Sequence, residues 1–255
     1  MNIFKPSSKK AIILFLAFAF LFLMFGMSYA AAPKRAGLDI TGIMNSPGFS
    51  NSMQITLTLA LLSLLPFLLI SITSFLRIII VLSMIRSAIG TAQVPPNSVL
   101  IGLALFMTVY TMAPTFDEVN KTAVVPYNKG QLSQMKAFEV GMKPFQQFML
   151  RQTRERDLSL FVQFAKIPQP KSANDVPVYV VIPAFMISEM KTAFQIGFLL
   201  FIPFIIIDLV VANILLSLGM FMLSPVMVSL PFKILLFVLS DGWNLITKGL
   251  LMSFR

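Results

Sequence analysis

Charged side chains interrupt the apolar sequence in the last third of the chain, and they are the residues there most able to do chemistry. They are Glu189, Lys191, Asp208, Lys233, Asp241 and Lys248. A charge at the centre of a bilayer costs at least ~2.5 kcal/mol, so such residues should pair with one another or face a watery interior. They could therefore serve solute or ion transport, or they could hold helices together in an assembly.

The composition excludes most enzyme chemistry. The 255 residues include no Cys and no His, which removes disulfides, thiol nucleophiles, imidazole bases and thiolate metal sites. No glycine-rich phosphate-binding motif occurs, and the ten carboxylates form no cluster in the sequence. An intramembrane hydrolase would need a Ser–Lys or an Asp–Asp pair, and no arrangement recommends one. We therefore predict a non-enzymatic protein with no cofactor and no metal.

The net charge of +10 does not indicate a nucleic-acid partner. Lys5, Lys9 and Lys10 lie in a segment that we expect to be removed, and no basic patch with interleaved aromatic side chains accompanies the remaining charge. The chain is 57% hydrophobic and 12% charged, whereas a soluble domain is roughly 25% charged. Lipid or partner subunits must therefore cover much of its surface.

Asp208 and Lys233 stand out because neither is satisfied at spacings of three or four residues along its own helix. The midpoint between them falls between Met220 and Phe221, beside a predicted turn. Two antiparallel helices leaving that turn would carry both charges to the same height, ~18 Å from the tip. We expect the two residues to form a salt bridge, either within one hairpin or between adjacent copies.

The turn itself is apolar and contains two methionines, Met220 and Met222, on either side of Phe221. One interpretation is a hairpin tip wedged in a hydrophobic core. The other is a compliant constriction, because methionine is unbranched and fills irregular gaps, and apolar constrictions close pores by dewetting.

The first predicted segment of the chain is a signal peptide, residues 1–30. Three lysines precede the apolar run Ala11–Met27, and Ser28 and Ala30 are the small residues that a signal peptidase reads. We expect cleavage after Ala30; the alternative is an uncleaved first membrane helix. Residues 31–54 follow as an external segment with the composition of a loop.

Residues 55–114 are predicted to form a first membrane hairpin. Ile55–Leu76 is long enough to cross a bilayer, and Pro66 should kink it. Arg77 and Arg86 follow and are placed on the cytoplasmic side by the positive-inside tendency. After the turn Val94–Asn97, a second helix covers Ser98–Ala113 and ends at Pro114.

The rest of the chain divides into an external region and a second hairpin. Residues 115–177 are polar, and apolar side chains recur at helical spacing between Lys136 and Lys166, so we predict a periplasmic helical region. Residues 178–255 are predicted to form a long kinked helix, a turn near 219–225 and a last span, Ile234–Leu251. The sequence thus predicts an all-α membrane protein of about four hydrophobic helices in two kinked hairpins, with an external helical region.

Motifs spread over the whole mature chain resemble the FliP family of flagellar type III export gates. The resemblance is carried by Ile182–Phe185, Ser188–Phe198, Pro203–Val211, Ser229–Lys233 and Asp241–Trp243, together with Val94–Asn97, Ile101–Phe106 and Arg151–Arg154. It implies a pentameric ring with helical symmetry, built with FliQ and FliR and surrounded by FlhB and FlhA. Unfolded flagellar subunits would pass through this gate, which would lie in the flagellar basal body of the bacterial inner membrane and project to the periplasmic side.

The resemblance also implies roles for particular residues. Met220, Phe221 and Met222 match a gasket that seals the closed channel, with Phe221 departing from an all-methionine run. Asp208, Lys233, Glu189 and Lys191 match charges that serve assembly. The injectisome homologue SctR shares much of this core, and the predicted signal peptide favours the flagellar branch. A solute or ion transporter is a further alternative, but the internal repeats common in transporters are absent.

Overall fold

The computed structural model describes residues 49–91, 93–167, 170 and 172–254, and these residues form helices joined by turns, with no strand among them. The chain divides by packing into two units, Met1–Ser63 and Leu64–Arg255. The tertiary packing discussed below lies within the second unit. The predicted signal peptide, with its cleavage site at Ala30, lies outside the described residues.

The first hairpin contains a sharp bend that we did not predict. Helix α1 covers Phe49–Ile72 and contains Pro66, whereas an 85° bend separates the stretch Pro66–Ile72 from helix α2, Phe75–Ile89. The Thr73 hydroxyl donates to the Leu69 carbonyl at 2.5 Å and accepts from the Phe75 amide at 3.3 Å. It thus satisfies backbone groups that the break would leave unpaired, and so the bend lies at Thr73 and Ser74.

The second helix is longer than predicted. Helix α3 covers Asn97–Val119 with Pro114 inside it, and a π-helical turn, Asn120–Val124, joins it to a last short piece, Val125–Asn128. The predicted end at Pro114 is therefore wrong. Packing on both sides of the proline explains this, because Met112 is fully buried and Phe116 contacts Phe145 edge to face with ring centroids 5.9 Å apart.

The stretch Lys136–Lys166 of the predicted external region is helical, as its periodicity predicted, and it is covered by two helices. Helix α4 covers Gln134–Gln152 and begins at Ser133, whose side chain accepts from the Lys136 amide. Helix α5 covers Glu155–Phe164, with Glu155 and Asp157 in its first turn, where the partial positive charge of a helix N-terminus favours carboxylates. A single 3₁₀ turn, Ala173–Asp175, precedes the next helix.

The last third forms one very long helix and a bent return. Helix α6 covers Val178–Ser217, 40 residues with Pro183 and Pro203 inside it. After a turn, helix α7 covers Pro225–Leu239 and helix α8 covers Gly242–Met252, with 63° between them. The predicted single span Ile234–Leu251 is therefore broken, because Asp241 takes up a left-handed conformation with φ +51°.

Two apolar clusters hold these helices together. One joins α2 and the start of α3 to the middle of α6 and to α8, and the other joins α4 and Met112 to the start of α6. Helices α2 and α6 approach closely at Gly197, where an added Cβ would collide with the Met84 side chain. The absence of a side chain at Gly197 is therefore part of this contact.

Much of the helical surface is apolar and uncovered. Within the described residues, Asn97–Asn128 and Val178–Ser217 are long and apolar enough to cross a membrane, and the two bent pairs, Pro66–Ile72 with α2 and α7 with α8, raise the number to four if each is one span. Only 17% of the most apolar window of α6 is buried within the chain. The prediction of an all-α membrane protein with about four hydrophobic helices is confirmed.

Candidate functional site: the hairpin tip and the ion pairs behind it

The turn between α6 and α7, residues 218–224, is called the tip below, and its backbone is firmly fixed. The Met220 amide donates to the Leu215 carbonyl at 2.9 Å, and the Gly219 amide donates to the Leu216 carbonyl at 3.1 Å. These two bonds form a Schellman motif, which requires a left-handed residue just beyond the helix. Gly219 supplies it with φ +73°. The chain therefore reverses at a defined point.

The side chains of the tip, in contrast, contact little of their own chain. Met220 is 46% exposed, Phe221 76% and Met222 99%. The turn, whose backbone is fixed, thus presents three apolar side chains outward from the end of the hairpin that α6 and α7 form. The structure places the predicted gasket residues together at this tip, and their sealing role stays a prediction.

Asp208 on α6 and Lys233 on α7 contact each other, as predicted from the position of the turn midway between them. The Lys233 Nζ donates to Asp208 Oδ2 at 2.6 Å, and the Ser229 hydroxyl donates to Asp208 Oδ1 at 2.5 Å. The Lys233 side chain is buried, whereas the Asp208 side chain is 30% exposed. The pair therefore forms within one hairpin and ties its two helices together. Ser229 was missed as a partner, although it lies one helical turn before Lys233.

Glu189 pairs with a residue that the sequence analysis placed elsewhere. Arg77, predicted to lie at the cytoplasmic flank, is buried and forms a two-pronged ion pair with the buried Glu189. Its Nε lies 2.9 Å from Glu189 Oε2, and its Nη2 donates to Glu189 Oε1. The pair joins α2 to α6. The apolar sequence around each charge indicated that both need a partner. Because the two residues are 112 positions apart, nothing in the sequence indicated that they pair with each other.

The remaining donors of Arg77 are also used. Nη1 donates to the Ser253 carbonyl at 2.9 Å and to the Ser253 hydroxyl at 3.1 Å, and Nη2 donates to Gln152 Oε1 at 3.0 Å. All five N–H donors that a guanidinium carries therefore have an acceptor. The Phe254 ring covers the guanidinium, with its centroid 3.9 Å from Cζ, a cation–π contact. Arg77 thus connects four separate parts of the chain.

Lys191 points to a different partner from its neighbour Glu189. It forms an ion pair with Asp157 on α5, and the Ser188 hydroxyl donates to the other oxygen of that carboxylate at 2.8 Å. Burial raises the pKa of Asp157, but the hydrogen bonds from Lys191 and Ser188, helped by the charges of Lys191 and Arg154, outweigh it and lower the pKa below its ordinary value. This cluster attaches helix α5 to α6.

The last two charges of the apolar third lie at the surface. Asp241 is exposed and accepts a hydrogen bond from the Asn244 amide group at 2.9 Å, and Lys248 is exposed. No group of three metal-ligating carboxylates occurs in the described part of the chain. Glu189, Lys191 and the pair Asp208–Lys233 connect helices to one another, whereas Asp241 and Lys248 do not form ion pairs across helices in the described part of the chain.

A model of the FliP family matches residues 58–250, which include most of both hairpins, the ion pairs and the tip. This chain belongs to the FliP family. The flagellar biosynthetic protein FliP of Bacillus subtilis is 54% identical over 217 residues, covering 85% of this chain and 98% of that protein. The same-named protein of Caulobacter vibrioides is 52% identical, covering 89% of this chain and 85% of its own length, and that of Pectobacterium carotovorum is 49% identical, covering 85% and 86%. The resemblance found in the sequence is confirmed.

Proposed function

We propose that this chain is a channel-forming core subunit of the flagellar type III protein export gate. FliP-family proteins are membrane components of the flagellar export apparatus and have a structural and transport role. The observation that carries the proposal is the tip, where exposed Met220, Phe221 and Met222 stand on a backbone fixed by the Schellman motif. Copies of this tip around an axis would close a pore with apolar side chains.

The chemistry of the tip suits a seal that must open for different cargoes. Unfolded flagellar proteins present side chains of every size, so a closing surface with fixed geometry would leak or jam. Methionine side chains have three rotatable bonds and no branch, which lets them adapt to irregular shapes. An apolar constriction that they form excludes water and ions by dewetting, and so it needs no specific fit to the cargo.

The uncovered helices support assembly with other subunits. Along α6, large apolar side chains remain half exposed or more over several turns, among them Phe198, Leu199, Ile206 and Leu209. Lipid or protein neighbours must cover them. We propose a pentamer with FliQ and FliR, associated with FlhB and FlhA, in the inner membrane and projecting to the periplasmic side.

The seal is tested by replacing Met220 and Met222 together with alanine. The smaller side chains should leave a wetted gap, so resting cells or vesicles that hold the assembled gate should become leaky to small ions. Met135→Ala is the matched control, because Met135 is also highly exposed but lies on α4, away from the tip. A double variant that leaks no more than this control would argue against the seal.

The assembly is tested separately by native mass spectrometry of the complex purified with its partners co-expressed. A mass corresponding to several copies of this chain is expected. A strictly monomeric protein under these conditions would contradict the ring.

A further inference from the structure

The described methionines differ widely in exposure. Met112 and Met149 are fully buried, whereas Met222 is 99% exposed, the highest value among the large apolar side chains of the described residues. Met220 is half exposed, and Met227, in the first turn of α7, is 71% exposed. Three accessible thioethers therefore lie within eight residues around the tip. Susceptibility of sulfur to oxidation follows its exposure, so Met222, the most exposed of the three, is where oxidation of the tip should begin.

The surroundings of Met222 do not oppose the change that oxidation brings. In a packed core, a sulfoxide would place a polar oxygen among apolar groups at high cost. At the tip, the backbone is held by the bonds from the Met220 and Gly219 amides to α6, which do not involve the side chain of Met222. The tip can therefore be oxidised without losing its fold.

We propose that Met222 is a site of oxidation to methionine sulfoxide by hydroperoxides, and that this oxidation opens the seal. The thioether sulfur attacks one oxygen of hydrogen peroxide, the O–O bond breaks and an S–O bond forms. The sulfur gives up two electrons and the peroxide takes them up, while the proton on the transferred oxygen passes to the departing hydroxide and yields water. The second half of the proposal rests on the proposed sealing function.

The expected effect of the modification follows from polarity. The thioether is apolar, and the sulfoxide carries a strong hydrogen-bond acceptor that holds water. A constriction that closes by dewetting depends on its lining being apolar. Placing one sulfoxide on each copy of the tip would therefore hydrate the constriction, although Phe221 and Leu223 stay apolar.

Peptide mapping of the purified full-length protein after brief treatment with hydrogen peroxide tests the chemistry. Met222 should be oxidised at least about ten times as fast as the fully buried Met112 and Met149, which serve as controls within the same molecule. Oxidation of Met222 no faster than that of Met149 would overturn the proposal. This measurement does not depend on a channel.

Ion leakage tests the consequence. Met222→Gln, which imitates the polar sulfoxide, should leak without oxidant, and Met222→Leu should lower the additional leak that peroxide causes. Met135→Leu removes an exposed thioether away from the tip and should leave that additional leak unchanged. If Met222→Gln stays tight while the double alanine variant leaks, the seal stands and control by oxidation is refuted. If neither variant leaks, the proposed seal fails and the proposed opening fails with it.

Discussion

Replacing Arg77 with methionine should strongly destabilise the folded chain. Glu189 is fully buried and shares both its oxygens with Arg77, so the variant leaves an uncompensated charge in an apolar interior. Breaking a buried ion pair in this way costs about 3–5 kcal/mol. The acceptors on Gln152 and Ser253 also lose their donor, and each such loss adds about 1 kcal/mol.

Two further variants separate the charge from the hydrogen bonds. Arg77→Lys keeps the charge but has three donors for five acceptor positions, so it should cost less, about 1–3 kcal/mol. The double variant Arg77→Met, Glu189→Met removes both charges and fills the space with apolar atoms. Such replacements are often neutral or stabilising, so the double variant should be more stable than Arg77→Met alone.

The single tryptophan of the chain provides the assay. Trp243 on α8 contacts Phe237 edge to face at 5.2 Å between centroids, so its fluorescence should report unfolding of purified protein in micelles with increasing SDS. Arg86→Met is the matched control on the same helix, because Arg86 bonds to Asn97 and Pro95 near the surface and should cost below about 1 kcal/mol. If the double variant is less stable than Arg77→Met, the unpaired Glu189 carboxylate is not the cause of the lost stability, and this explanation is refuted.

Asp208→Asn should destabilise more than Lys233→Met, because the first leaves a buried ammonium and the second leaves a carboxylate that is 30% exposed and still bonded to a hydroxyl. We expect about 3–5 and 1–2 kcal/mol in the same unfolding assay, and the reverse order would contradict the burial argument. Acidification should weaken the attachment of α5 to α6, because the pKa of Asp157 is lowered in the folded chain. The contribution of this carboxylate to stability is full above its ordinary pKa near 3.8 and is lost as the pH falls through the lower pKa of the folded chain. The protection factors of the α5 amides, in which the intrinsic exchange rate at each pH is divided out, should therefore fall in the wild type as the pH is lowered below about 4 and stay flatter in Asp157→Asn.

Local patterns in the sequence were enough to predict the helices and one ion pair. The midpoint between Asp208 and Lys233 lies inside a turn marked by Gly219 and Pro225, so hairpin geometry alone brings the two residues together. The periodicity of the external region likewise predicted helices there. These features depend on spacing within a short stretch, which a sequence displays directly.

Breaks and distant partners could not be predicted in the same way. Pro66 and Pro114 are strong local signals for a kink or an end, but packing carries α3 past Pro114, and the bend of the first hairpin lies at Thr73, where a hydroxyl satisfies the backbone. The contact between Arg77 and Glu189 joins residues 112 positions apart. Nothing in a single sequence links two such positions until the fold brings them together.

The contacts of Arg77 also impose an order in time on the making of this protein. Its acceptors on Ser253 lie 176 residues later in the chain, and a ribosome adding about 5–20 residues per second needs roughly 9–35 s to reach them. Gln152 and Glu189 are made 75 and 112 residues after Arg77, and until Ser253 follows, the guanidinium lacks at least the two acceptor atoms of that residue and must keep water or other groups in their place. The centre that joins α2 to α6 is therefore completed only after Ser253 has been made, and a chain that stops short of Ser253 would carry it unfinished.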